Sequence, residues 1–299
     1  MGSLAAPMVV ASIIRPGKGG TGIFTRRACI LSGRPMDLQL TGKRALVTGS
    51  TAGIGFAIAA ALAREGAEVI VNGRTPKGVD EAIAHMRVEV PLARLVPFAG
   101  DLSKAAAANE LGKAFPAVDI LVNNLGIFEP KPFEEIPDED WQRFFDVNVL
   151  SGVRLARLYL PYMRERDWGR IVFISSESGV QIPSEMIHYG VSKTAQIAVA
   201  RGLAEHVAGT GITVNSVLPG PTRSRGVNEF VEALGASSGK TSAEVEKEFF
   251  RTTRPSSLIQ RFATAEEVAA MVAYVASPLA SATTGAALRV DGGVVRSIL

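Results

Sequence analysis

The chain has one cysteine, Cys29, and only three histidines, His85, His188 and His206. A single thiol excludes an internal disulfide, and so few scattered ligands offer no zinc-binding spacing. That sets aside zinc-dependent alcohol chemistry and suits a reducing compartment, so a cytoplasmic location is expected. No apolar run approaches the ~20 residues that a membrane-crossing helix needs, and no membrane partner is expected. Acidic side chains are absent from the first 36 positions, which carry Arg15, Lys18, Arg26, Arg27 and Arg34. Those five set aside, 27 basic residues face 29 acidic ones, so the +3 formal charge is a property of the beginning of the chain. A near-neutral body gives a nucleic-acid partner little support.

Residues 1–36 have scattered Gly and Pro and no helical or strand period. They read as an N-terminal extension, disordered or upstream of a second start at Met36, and their composition fits an organelle-type presequence better than a secretory signal. The remainder, 37–299, with 47% hydrophobic residues in the whole chain, is large enough for a single α/β domain.

From residue 43 short β-rich runs alternate with longer helical patterns. RALVTG, EVIVNGR, ARLVPFAGDLS, VDILVNNLG, RIVFISS, ITVNSVLPG and ALRVDGG read as strands. Most lack the in–out alternation of a half-wet strand, so both faces are expected to be buried. GFAIAAALAREGA, DEDWQRFFDVNVLSGVRLARLYLPYM and TAEEVAAMVAYVASPLA read as helices. This βαβ repetition predicts one doubly wound parallel sheet of the Rossmann type, with the ligand site beyond the carboxyl ends of its strands.

TGSTAGIG occupies such an end, with Gly49, Gly53 and Gly55 after a strand and before an Ala-rich helix. Glycines let backbone N–H groups approach a pyrophosphate, and the helix start adds partial positive charge. The second strand ends in Asn72-Gly73-Arg74, where an NAD-binding unit would place an acid for the ribose 2′-hydroxyl. Arg74 suits a 2′-phosphate instead, which favours NADP(H) over NAD(H). In HYGVSK, Tyr189 and Lys193 stand four apart and share one helix face.

Taken jointly, the motifs resemble the short-chain dehydrogenase/reductase family. TGSTAGIG is similar to its glycine motif and NNLG, 123–126, to its NNAG apart from Leu125; PGPT at 219–222, RFATAEEVA and VDGG follow in the family's order. Ser176 precedes Tyr189 by thirteen residues, the family's interval. The resemblance implies an oxidoreductase that interconverts a carbonyl and a secondary alcohol by hydride transfer. Tyr189 is then the proton donor or acceptor, Lys193 the partner of the ribose hydroxyls, Ser176 the group that steadies the carbonyl oxygen, and Asn148 the holder of a relay water. Cofactor contacts are implied at Gly49, Ser50, Thr51, Gly53, Ile54, Gly55, Arg74, Asp101, Leu102, Asn124, Gly126, Pro219, Gly220 and Thr222, besides Tyr189 and Lys193. Dimers or tetramers through the helices of 141–166 and 188–208 are implied too.

Between PGPT and RFATAEEVA, residues 223–260 form a long insertion. Val227, Phe230, Val231 and Leu234 are spaced as one helix face, and Val245, Phe249 and Phe250 suggest a second helix, so the insertion is expected to be a substrate lid. The family resemblance also brings 3-oxoacyl carrier-protein reductase into view. Such enzymes grip an acidic carrier with basic residues where this chain has Asp167 and Thr210, so a small or medium ketone or secondary alcohol is preferred as substrate. A non-catalytic, NADP(H)-sensing protein is the reading from another class, and intact Tyr189 and Lys193 count against it. His188 is expected to point outward in a structural role, because neighbouring helical positions point about 100° apart.

Overall fold

The structure is a computed structural model that describes residues 36–223, 227 and 239–298. Seven parallel strands form one sheet: β1 (Arg44–Val47), β2 (Glu68–Gly73), β3 (Arg94–Ala99), β4 (Ile120–Asn123), β5 (Gly169–Ile174), β6 (Ile212–Pro219) and β7 (Ala287–Val290). Their order across the sheet is β3-β2-β1-β4-β5-β6-β7. The strands β4, β5 and β6 are buried along their whole length, whereas the edge strands β3 and β7 alternate between covered and open positions. An unbroken apolar run therefore marks a central strand here, and alternation marks an edge.

One face of the sheet is covered by α1 (Gly53–Arg64), α2 (Pro76–Glu89) and α8 (Ala265–Val275), whose buried residues share one core with the side chains of that face. The other face packs against α3 (Ala105–Ala114), α5 (Ser151–Glu165) and α6 (Ile187–His206). Alanines at 57, 59, 60 and 63 give α1 a thin buried side, which lets it lie close to the sheet.

The stretch expected as one long helix from Asp138 is broken. The helix α4 (Asp138–Phe144) passes through a π-helical turn, Phe145–Leu150, before α5 begins. The reason is Asn148, fully buried, which donates through Nδ2 to the carbonyl of Ile127 at 3.0 Å and accepts from the Ile127 N–H at 2.8 Å. One extra residue in the turn aims that amide at the loop after β4, and single π-turns recur at functional sites for this reason.

Of the 223–260 insertion, the part carrying Phe230, Val231 and Leu234 lies outside the described residues. The second helix is there as α7 (Ser242–Thr252). Thr241 caps its first turn and Glu244 returns a bond to the Thr241 N–H, the same reciprocal cap that Thr264 and Glu267 form on α8. Val245, Phe250 and Phe262 make a small separate core, with Phe249 stacked on Phe262 at 5.1 Å. Among the described residues, no helix is long and apolar enough to cross a membrane.

Because that small core is isolated from the sheet, Phe250→Ala should cost about 3–5 kcal/mol locally. Hydrogen exchange should then lose protection across Ser242–Thr252 while β1, β4 and β5 keep theirs; an even loss over the whole chain would contradict a separate core.

Candidate active site

Strand order reverses between β1 and β4, and in such sheets the ligand crevice lies beyond the carboxyl ends at that point. The loop after β1 is pinned there by side chains. Asn72, at the end of β2, accepts from the Gly49 N–H at 3.0 Å and donates to the carbonyls of Phe98 and Gly100 at 3.2 and 3.1 Å. Ser50 is fully buried and donates to the Val47 carbonyl at 2.8 Å while accepting from the Asn72 N–H at 2.9 Å. On the other side Thr48 Oγ1 accepts from the N–H groups of Asn124 and Leu125, both at 2.9 Å. Asn124 Nδ2 donates to the Thr48 and Gly49 carbonyls at 2.9 and 3.1 Å.

These bonds leave a glycine turn at the start of α1. Gly53 has φ of 56°, a left-handed value that disfavours any side chain. At Gly55 a Cβ would stand 2.4 Å from the Gly49 carbonyl oxygen, so the loop can close only over hydrogen. Ala52, at the helix start, offers no side-chain cap, and the first turn of α1 holds no acid. The N–H groups of that turn therefore face an anion site unopposed. Thr51 packs over Gly73, and Ile54 is half-buried beside the core.

Farther along the crevice, Arg74 is exposed and has no ion-pair partner among the described residues. Asp101 is occupied, its Oδ1 accepting from the Ser103 N–H at 3.1 Å and the Ser103 hydroxyl at 2.7 Å. The Leu102 side chain is fully buried in the core, so a ligand meets at most its backbone. Gly220 and Thr222 follow β6, with the Thr222 hydroxyl donating to the Gly220 carbonyl at 2.9 Å, and Pro219 ends that strand.

At the other end of the crevice α6 brings its polar residues to the end of β5. Lys193, 5% exposed, donates to the Ile174 carbonyl at 3.0 Å and to Gln196 Oε1 at 3.1 Å. Its Nζ lies 5.7 Å from the centre of the Tyr189 ring. A Cβ on Gly126 would come within 3.2 Å of that Nζ, so the glycine keeps the space in front of the lysine open. Burial lowers the Lys193 ammonium to about 7, and among the described residues no carboxylate offsets it. Burial raises the Tyr189 phenol well above its ordinary value; the neighbouring Glu177 carboxylate adds to this, while the Ser176 hydroxyl beside the phenol and the charge of Arg254 act against it. Ser176, Tyr189 and Lys193 thus meet. Asn148 joins them through the protein: Gln196 Nε2 donates to its carbonyl at 2.5 Å, and its own Nδ2 donates to Ser192 Oγ at 2.9 Å.

Residues 49–295 match the family model described as enoyl-(acyl carrier protein) reductase. The oxidoreductase YvaG of Bacillus subtilis (strain 168) is 50% identical over 263 residues, covering 88% of this chain and 100% of its own. The oxidoreductase YvrD of the same organism is 47% identical over 266 residues, with 88% and 100% covered. Among solved structures, L-sorbose reductase from Gluconobacter frateurii, complexed with NADPH and L-sorbose, is 31% identical at a TM-score of 0.82, covering 88% of this chain and 100% of that one. The chain belongs to the short-chain dehydrogenase/reductase family. It is an oxidoreductase of the Rossmann type.

Within this family member several residues of the site carry no signal in the sequence. In the sequence Asn72 is only the absence of an acid, yet it ties β2, β3 and the glycine loop together. Gln196 lies one turn beyond Lys193 on the same side of α6, but that spacing alone does not distinguish it from any other helix neighbour. Glu177 and Arg254 are brought together across 77 positions, which no local pattern reports. His188 does not point outward: it is fully buried, its ring lies 4.1 Å from Phe144, and both its nitrogens lack partners among the described residues.

Removing the Asn72 amide would strand one N–H and two carbonyls. Asn72→Ala should therefore lower stability by about 2 kcal/mol or more in urea titration, and an unchanged midpoint would contradict the pinning role.

Proposed function

We propose that the protein is an NADP(H)-dependent oxidoreductase that interconverts a carbonyl and a secondary alcohol on a small or medium substrate. The observation that carries this reading is the meeting of the Tyr189 phenol, the Ser176 hydroxyl and the Lys193 ammonium at one end of the crevice whose other end is the uncapped glycine turn.

The residues present fit a dinucleotide. The open N–H groups of Gly53, Ile54 and Gly55 suit its pyrophosphate, and among the described residues Lys193 has no carboxylate competing for its charge and Arg74 no ion-pair partner competing with a 2′-phosphate. The nicotinamide supplies or accepts the hydride when bound. Everything else falls to the chain. Ser176 steadies the substrate oxygen, and Tyr189 gives that oxygen a proton in reduction or takes it in oxidation. Because burial holds the phenol protonated, Tyr189 is ready as an acid at neutral pH, and reduction should decline only as pH rises through its raised pKa. Oxidation needs the phenolate, which Lys193 favours when charged.

Apolar side chains stand beside this polar centre. Phe128 is 61% exposed and meets the Tyr189 ring edge-on at 6.3 Å, and Val180 and Ile182 are exposed near the end of β5. That lining supports a compact ketone or alcohol, and the L-sorbose bound by the solved relative is of the same size. Where a carrier-gripping base would sit, Asp167 instead accepts from the Gly211 N–H at 2.8 Å, so this place offers an acidic carrier no basic grip.

Two substitutions test the reading. Tyr189→Phe should reduce kcat about a thousandfold while NADPH still binds, as read by fluorescence titration; turnover near wild type would overturn the assignment. Arg74→Glu should erase or invert the ratio of kcat/KM with NADPH to that with NADH, and an unchanged ratio would remove the coenzyme preference.

A further inference from the structure

The position after Ser176 is a buried acid. Glu177 is 5% exposed, and its Oε2 accepts from the Ser176 hydroxyl at 2.5 Å and from the Ser178 N–H at 2.9 Å. Its Oε1 faces Arg254 Nε at 3.4 Å. Arg254 is itself largely covered, with a side chain 12% exposed, and its Nη1 reaches Glu185 at 3.0 Å. Arg254 comes from the far side of the insertion: its N–H bonds the Phe249 carbonyl at 3.0 Å, so the end of α7 fixes where its guanidinium goes. Nothing in the hydride and proton steps described above calls for a carboxylate beside the serine.

An uncompensated negative charge there would oppose the chemistry. The substrate oxygen gains negative charge in reduction, and Tyr189 does so in oxidation. A buried carboxylate a few ångströms away penalises both unless a cation is held against it. We propose that Arg254 is a positioning residue which, delivered by the end of α7, neutralises Glu177 and thereby keeps the Ser176 hydroxyl and the Tyr189 phenol able to share the developing charge. Among the described residues, the charged groups that face Tyr189 are Glu177 from the loop after β5, Arg254 from beyond α7 and Lys193 from its own helix, with Glu185 as the second carboxylate on Arg254. The first opposes phenolate formation and Arg254 assists it, in the same sense as their effects on the phenol noted above. Activity is in this way tied to the docking of α7, whose only apolar attachment among the described residues is the small core with Phe262.

The proposal rests on Tyr189 being the proton-transferring group, and its test separates the two. Ultraviolet difference titration of the NADP⁺ complex, with Tyr189→Phe protein as the blank, isolates the one phenol. It is run on wild type, Arg254→Met, Glu177→Gln and the double variant, beside the pH profile of oxidation with the alcohol turned over fastest in a screen. Arg254→Met should raise the apparent pKa by about one unit, a tenfold loss of phenolate at fixed pH. Glu177→Gln should lower it, and the double variant should return close to wild type in both readouts. Arg254→Lys should keep the wild-type titration, and it carries the test together with Glu177→Gln should the methionine variant not fold. An unmoved titration in Arg254→Met, or a double variant as impaired as that single one, would overturn the proposal and leave Arg254 as a packing residue. Full activity in Tyr189→Phe would instead overturn the functional reading itself.

Discussion

A buried lysine ammonium and a half-buried tyrosine phenol stand one helical turn apart against the end of β5, and the buried polar contacts around them are arranged about that pairing. Burial lowers Lys193 to about 7, a cost to the folded state of several kcal/mol. The penalty is present in full below pH of about 7 and fades as pH rises towards 10.5, where the unfolded chain also gives up its proton. The protein offsets part of it with two acceptors, the Ile174 carbonyl and Gln196, and with no carboxylate. An internal ion pair would have stabilised the ammonium better but would have taken it away from a ligand. On the proposed reading, the lysine is left partly unsatisfied so that the coenzyme completes its surroundings.

The scaffold holds this pairing from three sides. The π-turn at Phe145–Leu150 turns Asn148 inward, and Asn148, Ser192 and Gln196 then brace α6 from behind. Asn72 and Thr48 fasten the glycine turn and the Asn124 loop to neighbouring strands, so the two ends of the crevice are set by the same parallel sheet. The insertion contributes the third side through Arg254 and Glu177. Each support is a buried polar group with its partners in place, which is the condition for such groups to stiffen a site rather than weaken it.

Much of this was legible in the amino-acid order. Central strands announce themselves as unbroken apolar runs, and RIVFI and ITVNSVLP are buried throughout. The glycine spacing and the Tyr189–Lys193 pair are local patterns, so they could be read without a fold. What escaped were features made of distance. The π-turn depends on a bond between Asn148 and Ile127, and a helical period alone reads straight through it. Asn72 and Thr48 look like ordinary strand-end residues until β3 and β4 come alongside. Glu177 looks like a loop acid, and its burial exists only because Arg254 arrives from a separate segment. Leu102 stood out as a candidate contact beside Asp101, and its side chain turns out to belong to the core.

The most direct measurement is a crystal structure of the protein with NADP⁺ and a ketone inhibitor. The account predicts Lys193 Nζ on the ribose hydroxyls and both Tyr189 Oη and Ser176 Oγ on the inhibitor oxygen, each within about 3.2 Å. A dinucleotide lodged away from the glycine turn, or an inhibitor oxygen that neither hydroxyl touches, would contradict it.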